Sequence, residues 1–174
     1  MDWYHSVFEL IDMRSFSNLW FWIALAVVWS TASHWVLGVP WDFVLRARRE
    51  GGQFEADLED LVRIYTTRLL YIARVSGLWL LGFGCFFLTM LGMLGFWYDF
   101  EFGQALFLLG FPMSIVGALS LNTAKLIREN EEVGDALYRR LHKHRIIVQI
   151  IGMISIFITA LWGMFQNLAV GPFG

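Results

Sequence analysis

The side chains in this sequence with the most chemistry to offer are three histidines. His34 stands near the end of the first long apolar stretch, and His142 and His144 stand just ahead of the last one. A haem b held between two helices needs two imidazoles facing each other. His34 with His142 or His144 is the pairing that would supply them at one depth. The plainer reading makes His34 a hydrogen-bonding residue between helices and leaves the other two solvated among Arg139, Arg140, Lys143 and Arg145. That reading is adopted, and no cofactor is expected. His5 is a surface residue in either case.

What is missing narrows the function further. Beyond His34 at one end of the first, the long apolar stretches hold no ionisable carboxylate or base. Ion and proton carriers usually keep such groups at the midplane because their chemistry needs them there, so a stand-alone pump or transporter is not expected. The single cysteine, Cys85, provides neither an internal disulfide nor a cysteine-rich metal site and reads as a small buried apolar residue. No glycine-rich phosphate loop, zinc spacing or Ser/His/Asp arrangement is present. A net charge of −2 gives no general attraction to nucleic acid. The expectation is a non-enzymatic protein.

The elements that would position these residues are membrane spans. Over 174 residues the chain is 57% hydrophobic, with mean hydropathy +0.56, too apolar for a soluble domain of this size. The pattern predicts an all-α fold: one integral membrane domain, residues 1–174, built as a four-helix bundle with cytoplasmic helical extensions. The spans fall at about 18–37, 75–97, 103–122 and 146–166, and the cytoplasmic helical loops at 41–74 and 125–145. A helix rises ~1.5 Å per residue, so each span matches the ~30 Å hydrocarbon core.

Residues 1–14 mix Trp3, Val7, Phe8, Leu10 and Ile11 with polar residues and read as an interfacial amphipathic helix. Asp2, Glu9 and Asp12 stand where a signal peptide would be basic, so no cleavable leader is expected. Trp20, Trp22, Trp35 and Trp41 mark the interfaces of the first span, which Pro40 ends or kinks. Gly51-Gly52 reads as a helix stop. Glu55–Trp97 reads as one helix that begins in water and finishes in lipid. Asn130 before Glu131 and Glu132 reads as an N-cap, and Glu59 with Arg63 and Asp135 with Arg139 as i,i+4 pairs.

Candidate contacts fall on the polar loops. Leu58, Leu61, Val62 and Tyr65 form one apolar stripe and Val133, Leu137 and Leu141 another. The two are expected to bury each other or a partner. Arg46, Arg48 and Arg49 form a basic cluster that anchors topology or docks on lipid or protein. Rows of small residues, Ala73 with Gly77, Gly110 with Ser114 and Ala118, and Ser155 with Thr159 and Gly163, let helices approach closely. Ala26, Ser30 and His34 share a face expected to meet other helices. The partners implied are the lipid bilayer and a membrane protein or a second copy of the chain, without nucleic acid.

The opening MDWYHSVFELIDMRSFSNLW and the segments SHWVLGVPWDFV and EADLEDLVRIYTTRLLYIARVSGLWLLGF resemble a family of small alphaproteobacterial membrane proteins. Its members are sometimes labelled a component of the SufBCD complex. The resemblance implies a multi-pass protein of the bacterial inner membrane and an accessory, assembly or structural role in a larger complex, and it carries no catalytic residues. The chain is also similar in size and span count to the small membrane subunit of tripartite substrate transporters. A redox (haem b) or transport subunit is thus the alternative function.

Charge placement sets the expected orientation. Of 13 Lys and Arg, six lie in each polar loop and only Arg14 lies elsewhere. Positive loops stay inside, so both loops face the cytoplasm and both termini the periplasm. In a Cys85→Ser background, cysteines introduced at Asp99 and Gly174 should react with an impermeant thiol reagent applied from outside, and those at Gln53 and Asn130 should not. Reaction at Gln53 would reverse the orientation.

Overall fold

The computed structural model describes Phe16 and residues 19–169. The interfacial helix expected over 1–14, its putting of Arg14 outside, and the chain's last residues lie outside the described part. The fold is all-α. Helix α1 spans Leu19–His34, α2 Trp41–Glu50, α3 Gln53–Gly92, α4 Glu101–Glu129 and α5 Gly134–Ala169. A short antiparallel hairpin, β1 Trp35–Val36 with β2 Val39–Pro40, joins α1 to α2. A π-helical turn, Met93–Trp97, continues α3.

Among the described residues, three helices are long and apolar enough to cross a membrane: α3 with its π-turn, α4 and α5. They contain the expected spans 75–97, 103–122 and 146–166. The first stretch is shorter than expected. Its helix ends at His34 rather than Leu37, because Leu37 (φ 49°) and Gly38 (φ 80°) turn the chain back on itself. Two adjacent positive φ values are what a two-residue hairpin loop requires. Pro40 therefore closes a strand and kinks no helix. A Cβ on Gly38 would lie 2.6 Å from the Tyr65 ring, so glycine is required there for space as well as for φ.

The long helix read over Glu55–Trp97 is present, and Gly51 and Gly52, both at positive φ, stop α2 before it. Asn130 is a correction: it follows the end of α4 as its C-cap and caps no N-terminus. The reversal comes at Glu131 and Gly134, both at positive φ, and α5 starts with Asp135 in its first turn. The expected side-chain pairs shift too. Asp60, one turn back, holds Arg63 at 2.7 Å, leaving Glu59 to accept the Gly134 N–H at 2.8 Å. Asp135 makes no ion pair with Arg139.

The helices pack in a row: α1 on α5, α5 on α4, and α4 on α3. Small residues set the contacts. Gly152 lies under the Trp29 ring, and Gly163 under Trp22 and Phe16. The row Ser155, Thr159 and Gly163 is buried as expected, so α1 docks through the large side chains Phe21, Leu25 and Trp29. This is why Ala26, Ser30 and His34 face outward, against the expectation that they would meet other helices. Ser114 and Ala118 also face outward, and Gly77 has open space beside it. Cys85 is exposed rather than buried, because α3 meets the row along one side only. Trp41, expected at a lipid interface, is buried in the cluster under α2.

The closest approach joins the π-turn to α4. A Cβ on Gly95 would sit 2.7 Å from the Gln104 backbone nitrogen, and one on Gly103 3.1 Å from the Gly95 nitrogen. Backbone cannot yield as a side-chain tip can. Gly95→Ala should therefore destabilise the protein by about 1–3 kcal/mol, the usual range for overpacking. Thermal unfolding in detergent reads this, with Gly77→Ala, where space is open, as the neutral control.

Candidate functional site

The densest core lies where α2 and the first turns of α3 meet the start of α5. Leu58 and Val62 of α3 pack with Leu137 and Leu141 of α5, Ile127 of α4, the hairpin residues Val36 and Val39, and Val44 of α2. The two sequence stripes do meet, through four of their seven members, Leu58, Val62, Leu137 and Leu141. Leu61, Tyr65 and Val133 remain exposed, Val133 at 61%. Helical spacing puts Leu61 and Tyr65 beside Leu58 and Val62 but round toward solvent, and Val133 precedes the first turn of α5.

One aromatic ring organises the edge of this core. The Arg145 guanidinium stands 4.5 Å over the Trp41 ring, and the His142 ring is 5.7 Å from it. Arg145 Nε also donates to the Ser33 carbonyl at 3.2 Å, satisfying an acceptor that the end of α1 leaves free. One cation thus ties α5 to α1 and α2.

The histidines are divided among three partners. His34 is exposed, with Nε2 3.9 Å from Asp42 Oδ2. His142 is exposed and lies against Trp41. His144 is buried (4% exposed), and its Nδ1 shares a hydrogen bond with Thr123 Oγ1 at 3.0 Å. A haem iron needs two imidazoles on one axis, and these three are committed to other groups. Among the described residues, no group of three or more His, Cys, Asp or Glu is arranged to hold a metal ion.

The basic cluster sits on the outer side of α2, whose Trp41, Val44 and Ala47 face the core. Arg46 lies 3.9 Å from Glu50 and 6.0 Å over the Phe54 ring. Arg48 and Arg49 are exposed and make no ion pair among the described residues.

Sequence reasoning missed the polar clasp at the opposite end. Gln104, only 1% exposed, donates through Nε2 to the Gly95 carbonyl at 2.9 Å and to Asp99 Oδ1 at 3.1 Å. Its Oε1 accepts from Trp162 Nε1 and from Gln166 Nε2, both at 2.8 Å. Every polar site of the amide is used, as a buried amide requires. The available signal was two glutamines in otherwise apolar helices, since an amide there must turn toward a partner.

Comparison with protein-family models, with curated proteins and with solved structures finds no match. The one hydroxyl–imidazole contact among the described residues, Thr123 with His144, is buried between α4 and α5. The geometry offers surfaces: an outward face on α3, a basic face on α2, and a braced turn at the tip.

That turn provides a pH test. Arg140 Nε donates to Glu132 Oε2 at 2.9 Å and Oε1 at 3.1 Å, and this hydrogen bonding holds the Glu132 carboxyl below the usual carboxylate range. A carboxylate lowered in the folded state stabilises the fold above its unfolded value, about 4.3. That contribution is lost as pH falls through the folded value. Glu132→Gln should lower stability by about 1–2 kcal/mol near neutral pH, and its melting curve should converge on the parent's in acid. A constant difference at every pH would show that the pair contributes nothing through charge.

Proposed function

We propose that this chain is a non-enzymatic accessory, assembly or structural subunit of a larger membrane complex or homo-oligomer, with α3 as the docking helix. The supporting observation is an uncovered face that does not stop at the membrane. No residue in the apolar window of α3 is buried, and Gly77, Gly82 and Gly84 have open space beside them. Lipid is enough to cover that part. The same helix goes on exposing Leu61, Ile64 and Tyr71, in the polar stretch ahead of the span, where lipid tails do not reach. Small residues in the span and apolar ones beyond it suit a partner helix lying along the whole length. The resemblance to a family labelled as part of a complex agrees with this reading. On this reading the charge asymmetry of the two polar loops favours their lying in the cytoplasm with both termini outside, and the resemblance implies a bacterial inner membrane.

Ile64→Asp with Leu61→Asp removes apolar contact worth roughly 1.5–3 kcal/mol per side chain without touching the buried Leu58 and Val62. The double variant, purified gently from its native membrane, should run at the mass of the single chain with its melting temperature unchanged. The parent should carry a partner or a second copy. Equal masses for the two would end the docking reading.

A further inference from the structure

A groove of about 380 Å³ opens between α4 and α5, walled by Phe107, Phe111, Pro112, Ile115, Ile154 and Ile158 with almost no polar surface. It is large enough for a small ligand, as sites of roughly 300–1,000 Å³ are. The bonds from Thr123 to His144 and from Gln104 to Trp162 and Gln166 fix how the two antiparallel helices are aligned. On that alignment Pro112 faces Ser155, midway along both apolar stretches.

The same alignment sets Lys125 of α4 level with Lys143 of α5. Lys125 stands two heptads beyond Phe111, and Lys143 stands eleven residues before Ile154. At 3.6 residues per turn, Lys125 falls in line with Phe107 and Lys143 close to the line of Ile154, each at the outer edge of the wall its helix gives the groove. Ten residues separate Ile115 from Lys125, about 15 Å of helix. That is half of the ~30 Å hydrocarbon core, so a groove at mid-depth places both lysines at the headgroup layer. Both lysines are exposed. Lys143 makes no ion pair among the described residues, and Lys125 has Glu129 3.7 Å away. Glu132, the other nearby acid, is taken by Arg140.

We propose that this face binds an anionic phospholipid, with its phosphate between Lys125 and Lys143 and one acyl chain running down into the groove beside Pro112. A headgroup alone would not need the groove, and a chain alone would not need two cations at its upper end. Their alignment is what selects a molecule with both.

The test uses the full-length protein in detergent, titrated with phosphatidylglycerol or phosphatidylcholine, with bound lipid counted by native mass spectrometry. The parent should retain phosphatidylglycerol about thirtyfold more tightly, as two cations at a lipid surface provide. Lys125→Gln with Lys143→Gln should abolish that preference. Arg46→Gln with Arg49→Gln, on the other basic face, should leave it intact. Ile115→Trp, which fills the groove, should weaken retention of both lipids. Survival of the preference in the lysine double variant would overturn the site, and so would equal loss in the arginine control, which would mark a general basic collar.

Discussion

Gln104 is the side chain on which one end of this protein depends. Its amide joins the π-turn, α4 and α5 through four hydrogen bonds, in a place where an unmet polar group would cost about 1–3 kcal/mol. The bonds are possible only because Gly95 and Gly103 let the backbones touch. The π-turn follows the same logic. Its wider winding carries the Gly95 carbonyl and Asp99 round to the amide, and such turns commonly occur where a helix meets a special requirement. Asp99 takes a positive φ of 55°, a backbone cost sustained by the contact its carboxylate makes.

The other end is held by different means. There the hairpin brings Val36 and Val39 under α3 and α5, and Arg145 covers Trp41 while it binds the Ser33 carbonyl. Packing dominates at this end and hydrogen bonding at the Gln104 end. A cluster of apolar side chains gains from the exclusion of water. Between spans that driving force is absent, and close packing with a few polar ties replaces it.

The long α3 was legible because its apolar steps run unbroken from Leu58 and because Gly51-Gly52 punctuates its start. The apolar spans were legible from composition alone. The hairpin was not, since Leu37 at positive φ carries no turn signal and Val-Leu-Gly-Val reads as a continuing helix. Asn130 misled because asparagine suits either end of a helix, and only Glu131 and Gly134 at positive φ show which end it caps. His34 was assigned to the wrong face because small residues suggested contact, whereas α1 docks through Phe21, Leu25 and Trp29 onto glycines of α5. Of the candidate contacts, Leu58, Leu137 and Leu141 proved to be internal core, and the Gln104 clasp needed three dimensions to be seen.

The unbroken course of α3 has a mechanical consequence. About 22 of its residues precede the apolar part, roughly 33 Å of rigid rod at 1.5 Å per residue. Membrane helices tilt by tens of degrees to match the bilayer around them. A 10° change in the tilt of this rod would swing its far end by about 6 Å. Because that end is packed into the Leu58–Val62 core, such a swing must either carry the core and its neighbouring helices with it or be taken up by bending within α3.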